Sequence, residues 1–448
     1  MSSLYLNLRP AADNRCFVST AIDQVTQEVA ARIRDPEIAW LFGNCFPNTL
    51  DTTVHFSHDS EGLPDTFVIT GDIDAMWLRD STNQVWPYLP FLRRDEALRE
   101  MVEGLMRRQW KCLQIDPYAN AFLEDGNRTS EWITDLTEMR PGVHERKYEL
   151  DSLCAVLRLC VGYYDHVGDS ACFDGNWLRA VELILDTIEA QQEGTSDDPP
   201  YRFARQSNRP HETLILGGRG QPARRCGLSK SPFRPSDDAA NLPFLIPANA
   251  MAVVMLRRAI PLLRMVQGGN PMATRAEQLA NAIDQGLRSQ AVVPHPVCGE
   301  IFAYEIDGFG AQYLMDDANI PSLLSLPYFG YMNADDSLYK RTRSFVLSEH
   351  NPYYFQGISG SGIGGPHVGL GWIWPMAIIM QALTSTSEAE VASCLAQLKG
   401  SHGGTGFMHE AFWKDNASQF TRPWFAWANT LFGELILHID RVWPMLLS

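Results

Sequence analysis

The chain has little positive charge to offer a phosphate backbone. Its 37 lysines and arginines are outnumbered by 53 aspartates and glutamates, leaving a net charge of −16. A surface of that sign repels nucleic acid, so no DNA or RNA partner is expected. No CxxC pair occurs, and the nine cysteines lie scattered in apolar contexts such as Ser152-Leu-Cys154-Ala-Val156. An odd, dispersed set reads as reduced, buried small hydrophobes rather than as a disulfide framework. There is no uninterrupted run of eighteen apolar residues, so no membrane span is expected. The start, Met1-Ser-Ser-Leu-Tyr-Leu-Asn-Leu-Arg-Pro10, has no basic segment followed by an apolar one. The expectation is no secretory leader and a cytoplasmic location.

Familiar catalytic signatures are also missing. His409-Glu410 begins a zinc-protease motif, but Trp413 stands where the second histidine is needed. No other tight His/Cys/Asp cluster has metal-ligand spacing, so neither a catalytic metal nor a cofactor is expected. Gly360-x-Gly362-x-x-Gly365 lacks a strand before it and an acid about twenty residues after it. It reads as a glycine-rich rim loop. Neither a nucleophile elbow nor a phosphate-binding loop is present.

What the chain has is helical periodicity. Residues 18–34 alternate apolar and polar at helical spacing, and further helices are predicted at 95–115, from Glu145 through Tyr164, and at 176–193, 272–290, 335–347, 366–383, 387–399 and 424–442. A long apolar segment runs from Leu245 to Val266, with Pro235 and Ser236 as candidate helix-start residues. Strands are predicted only around Thr52–Phe56 and Thr66–Thr70, and 197–235 reads as a basic loop. Eleven or twelve helices in which long apolar members alternate with amphipathic ones suit two concentric rings, with function on the loops of one rim. No composition break divides the chain, so one domain over 1–448 is expected.

Within that pattern, Gly71-Asp-Ile-Asp-Ala-Met-Trp-Leu-Arg-Asp80 crowds three carboxylates, a guanidinium and an indole into ten residues. Burying such charges unpaired costs several kcal/mol. The mixture suits a pocket for a hydroxyl-rich ligand, in which an aromatic face meets C–H groups and charges grip hydroxyls. A buried Asp–Arg staple between helices is the competing reading. Glu410 follows a flexible Gly403-Gly-Thr-Gly406 approach and is a candidate base, with a salt bridge to Arg422 as the alternative. Asp237-Asp238 could cap a helix. Together with Glu410 they supply two carboxylate sites, the minimum for cleaving a glycosidic bond.

Seven segments in register carry a family resemblance. They are Gly71–Ser81, Glu145–Cys154, Phe233–Asp238, Leu314–Leu324, Gly365-Pro-His367, Met408-His-Glu410 and Trp424–Asn429. The chain resembles glycoside hydrolase family 125, exo-acting α-1,6-mannosidases, from about residue 50 to 440. The resemblance implies an all-α (α/α)6 barrel with a few short strands near the N-terminus and in rim loops. It also implies metal-independent, inverting hydrolysis of a mannose-containing oligosaccharide or glycan. Carried over, Glu410 is the general base and Asp237 the general acid, with Asp238 the alternative acid. Trp77, Arg79, Asp80, Asp151 and His367 are the expected grip on the terminal mannose. An inverting pair stands about 6.5–9.5 Å apart, and its acid is expected to be kept protonated by its surroundings. Gly220–Pro232 is more basic than the family pattern, which leaves the linkage preference open. Another (α/α)6 exo-glycosidase, a phosphorylase using Arg219, Arg224 and Arg225 to hold phosphate, and a non-catalytic sugar-binding protein are the alternatives.

Overall fold

Apolar spacing decides which helices line the inside. In the computed structural model, residues 5–196 and 198–448 are described; Met1–Leu4 and Asp197, the first residue of the expected basic loop, lie outside them. Twelve helices of eight residues or more run through the described residues. They are α1 (Thr20–Arg32), α2 (Pro36–Cys45), α3 (Leu78–Val85), α4 (Glu96–Ile115), α5 (Leu150–Val167), α6 (Gly175–Ala190), α7 (Ile246–Met265), α8 (Asn270–Gly286), α9 (Ser337–Val346), α10 (Pro375–Leu383), α11 (Glu388–Ser401) and α12 (Ala426–Val442).

All eight residues of α3 are buried, as are 14 of the 18 in α5, against 6 of the 17 in α8. A helix buried on every side must be surrounded by others. Accordingly α3 packs on α5, α5 on α7, α7 on the one-turn helix Leu326–Phe329, α10 on α12, and α12 back on α3. Amphipathic helices back this inner set: α4 lies on α5 and α6, α8 on α7, α11 on α10, and α2 on α12. Helix α7, with 20 residues and a mean hydropathy of 1.3, is long and apolar enough to cross a membrane, but its apolar surface is covered by α5 and α8. The main core cluster runs from Phe17 to Leu447, and Ala75, Trp77 and Ala121 form a small second one.

Small antiparallel sheets gather at the N-terminal ends of the inner helices. Apart from the hairpin β1 (Val54–His58) and β2 (Pro64–Val68), one sheet joins β3 (Met76–Trp77), β4 (Ala121–Phe122) and β5 (Val143–Glu145). A second joins β6 (Phe244–Leu245), β7 (Glu305–Ile306) and β8 (Gln312–Tyr313). A third joins β9 (Trp372–Ile373), β10 (Ala411–Trp413) and β11 (Asn416–Thr421). Strands β3 and β6 run straight into α3 and α7.

Gly71 bridges to Phe425, just before α12, and so ties the approach to α3 to the approach to α12. A Cβ on Gly71 would stand 2.3 Å from the Trp424 carbonyl oxygen, at a φ of +136°. Only glycine fits that approach.

The helix starts differ from expectation at three places. Helix α5 begins at Leu150 rather than Glu145, because the Lys147 and Tyr148 amides donate to Asn120 Oδ1 and Tyr201 Oη instead of entering a helix. Helix α10 begins at Pro375 rather than 366, because Trp372 and Ile373 are paired with Trp413 and Phe412. Pro235 and Ser236 start no helix. Helix α7 begins at Ile246, ten residues later, so neither Asp237 nor Asp238 caps it.

Candidate active site

The Arg234–Asp238 turn is built before it is catalytic. Arg234 N donates to Asp238 O at 2.8 Å and Asp237 N to Arg234 O at 2.9 Å, while Phe233 bridges to Ala239. Arg234 is in turn fixed to Glu305 of β7 at 2.6 Å, and the other Glu305 oxygen accepts from the Asn241 and Leu242 amides. This tightness holds Asp237 at a φ of +65°, a conformation few non-glycine residues adopt. Its carboxylate thereby leaves the turn and reaches the rim.

There Asp237 Oδ1 accepts from Trp77 Nε1 at 3.2 Å and Asn120 Nδ2 at 2.9 Å. The same Asn120 amide lies 3.4 Å from Glu149 Oε1 and 3.3 Å from Glu145 Oε2. Its orientation is set by the Lys147 amide, which donates to Asn120 Oδ1 at 3.1 Å. Burial alone would raise Asp237, but the charges of Lys147 and Arg79 outweigh it and hold its carboxyl below the usual range. The expected upward pull of the surroundings on Asp237 is thus opposed by Lys147 and Arg79. Burial pushes Glu149 well above its ordinary value against the pull of Arg79.

Arg79 sits beneath this pair, 3% exposed. It contacts Asp80 at 3.2 Å and Asp151 at 3.2 Å and donates to Glu149, and its guanidinium lies 5.9 Å over the Trp427 ring. Three acids around one guanidinium make the staple a real feature of the fold. They also sit at helix N-termini, where the backbone dipole favours negative charge. Burial pushes Asp80 up to about 6. Asp80 Oδ2 and Asp151 Oδ1 make no hydrogen bond within the protein.

Asp238 is arranged differently from its neighbour. It is 1% exposed, and its Oδ1 pairs with His367 Nδ1 at 3.0 Å and faces His211 Nε2 at 3.9 Å. Burial disfavours the His367 cation, but Asp238 first, then Glu410 and Asp237, push it up to about 9. His367 therefore stands in the field of both candidate carboxylate sites. Glu410 lies 3.6 Å from Arg422 Nη1, and the same arginine clasps Asp72 through its other nitrogens. The salt bridge weighed against a catalytic Glu410 thus exists, and Glu410 also faces His367. His409 is buried and stacked on Phe420 with centroids 3.7 Å apart.

The structure thus brings Trp77, Arg79, Asp80, Asp151, Asp237, Asp238, His367 and Glu410 to one rim. Arg224 and Arg225 turn elsewhere, to the Phe309 ring and to Glu193. Asn120, Lys147 and Glu149 escaped sequence reasoning. Glu149 sat inside a quoted motif, two residues from Asp151, and a second buried acid there was the available signal. Among the described residues no group of three or more His, Cys, Asp or Glu side chains has the arrangement of a metal site.

Comparison with known proteins bears on this geometry. The profile of a family described as metal-independent alpha-mannosidase (GH125) matches residues 35–437. The Schizosaccharomyces pombe meiotically up-regulated gene 157 protein is 44% identical over 98% of this chain and 89% of its own length. A Streptococcus pneumoniae structure, from work on metal-independent alpha mannosidases and solved as a non-productive complex with alpha-1,6-mannobiose, is 39% identical. It covers 95% of this chain and 100% of its own, with a TM-score of 0.91. A bacterial glucoamylase complexed with acarbose shares the fold alone, at 12% identity over 92% of this chain and 58% of its own, with a TM-score of 0.54.

Proposed function

We propose, because the chain belongs to the GH125 family of metal-independent alpha-mannosidases, that it removes non-reducing terminal α-1,6-linked mannose with inversion of configuration. The inner helices with their outer backing are read as an (α/α)6 barrel, and the whole chain as one catalytic domain. The observation that carries the reading is Asp237: a strained turn aims its carboxylate at the rim, and two donors fix one of its oxygens.

Asp237 gives a proton to the glycosidic oxygen as the C–O bond breaks and its electron pair passes to the leaving sugar. Glu410 removes a proton from the water that attacks the opposite face of the oxocarbenium-like ring. Trp77 and Asp80 contact the terminal sugar, and Asp151 Oδ1, which has no hydrogen-bond partner within the protein, accepts one of its hydroxyls. Arg79 anchors those acids, and His367 steadies the charge between the two reacting carboxyls. Asp238 orients His367.

Incubation with α-1,6-, α-1,2- and α-1,3-mannobiose, following released mannose, tests the linkage. Release from the 1,6 isomer is expected to dominate, and equal rates would refute the preference. Proton NMR of the first product is expected to show β-mannose; α-mannose appearing first would refute inversion.

A further inference from the structure

We propose that Asn120 is a positioning residue for the acid: together with Trp77 it occupies one oxygen of Asp237, so the transferable proton rides on the other, Oδ2, and is delivered from there. The inference rests on the reading of Asp237 as the acid.

Asn120 owes its place to a sheet. It stands one residue before β4, whose Ala121 pairs with Trp77 of β3 on one side and with Glu145 of β5 on the other. The Leu78 amide, at the start of α3, donates to the Asn120 backbone carbonyl at 3.0 Å. The residue is completely buried. Its side chain therefore meets the acid from the same three strands that supply the Trp77 indole.

The side-chain amide has one orientation. The Lys147 backbone N–H can only donate, so at 3.1 Å it requires the amide oxygen. The amide nitrogen then faces three carboxyl groups with two N–H bonds. Asp237 Oδ1 is nearest at 2.9 Å, while Glu145 Oε2 and Glu149 Oε1 stand at 3.3 and 3.4 Å. One N–H goes to Asp237 and the other lies between the two glutamates. Glu145 is held back from closer approach, because Arg205 Nη1 at 2.8 Å and Lys147 Nζ at 3.3 Å grip its other oxygen. Arg205 is in turn clasped by Asp135 at 2.6 Å and lies 3.8 Å over the Trp132 ring.

Asp237 Oδ1 also accepts from Trp77 Nε1 at 3.2 Å. An oxygen with two donors has both lone pairs engaged, and a proton there would meet an N–H bond head-on. The proton is left to Oδ2. A free aspartate carboxyl turns easily about its last bond and exchanges its two oxygens. The strained turn at φ +65° fixes where the side chain starts, and the two donors fix which oxygen ends up bearing the proton.

The step balances. The Oδ2–H bond of Asp237 breaks as the glycosidic oxygen takes the proton and the electron pair of the C–O bond. Glu410 takes a proton from the water whose oxygen bonds to the anomeric carbon. Glu410 then loses its proton to solvent, and Asp237 regains one from solvent. Asn120 touches no reacting atom.

The test compares wild type, N120A and D237N on α-1,6-mannobiose and on 2,4-dinitrophenyl α-mannoside, whose leaving group needs no protonation. Asn120→Ala removes the donor and lets the carboxyl turn. On mannobiose it is expected to lose at least about tenfold in kcat with KM within about twofold, and on the aryl mannoside under about threefold in kcat. A merely structural role would depress both substrates alike or act through KM; either result, or an unchanged N120A, overturns the inference. If D237N shows no leaving-group dependence, the acid assignment itself fails. If D237N shows it and N120A does not, only the role of Asn120 fails. Should N120A not fold, Asn120→Asp decides, since it keeps the shape and the acceptor for Lys147 but turns an oxygen toward Asp237. The same selective loss on mannobiose supports the inference, and an equal loss on both substrates, or none, overturns it.

Discussion

His367 carries the charge that pH can remove from the site. Its cation is held by Asp238 and persists to about 9, against 6.5 for an ordinary histidine. A raised folded-state value means that the stabilising pair is fully present below about 6.5 and is lost as pH rises through about 9. The melting temperature is therefore expected to fall between pH 7 and 10 by more in wild type than in H367Q, measured by scanning calorimetry. Trp77→Phe removes one neutral donor to Asp237. At about 0.5–1.5 kcal/mol for a hydrogen bond, kcat/KM on mannobiose is expected to drop roughly two- to twelvefold with the fold intact by circular dichroism. Glu410→Gln is expected to lose at least about a hundredfold in kcat if the residue is the base, measured by mannose release. Asp80→Ala is expected to lower kcat and raise KM together, because grip on the sugar is used at the transition state.

At the scale of elements, the joints matter more than the rods. Gly71→Ala is expected to cost at least about 1 kcal/mol in urea denaturation, since the new Cβ meets the Trp424 carbonyl in a left-handed conformation. Periodic, half-exposed helices such as α1, α4 and α6 were legible in the sequence because one face is apolar and the other charged. The rim was not. Rim strands such as Met76–Trp77 and Phe244–Leu245 are too short to show alternation, so the residues alone placed only the N-terminal hairpin and the rim strands came from the resemblance. Helix α2 was missed because Ile38, Trp40, Leu41 and Phe42 spread apolar character around it. Pro235-Ser-Asp-Asp has the chemistry of a helix start, and that same chemistry suits the turn it forms. The candidate pair Asp237 and Glu410 was readable from motifs. Asn120 and Lys147 were not, because folding alone brings them beside Asp237.

The whole molecule hides most of its sulfur. Of the nine free cysteines, Cys16 is exposed, Cys226 and Cys298 are half-buried, and six are buried. Burial pushes the thiols of Cys45, Cys112, Cys160 and Cys394 up to about 12. An aromatic disulfide reagent is expected to titrate one thiol quickly and two slowly in the native enzyme, and nine after denaturation. The bridge from Gly71 to Phe425 has a further consequence, for synthesis. Asp72 and Arg422 are 350 residues apart in the chain. A polypeptide leaving the ribosome has made Trp77, Arg79 and Asp80 long before Glu410 and α12 exist to cover them. The face of α3 that packs on α12 is therefore completed only once α12 has been made.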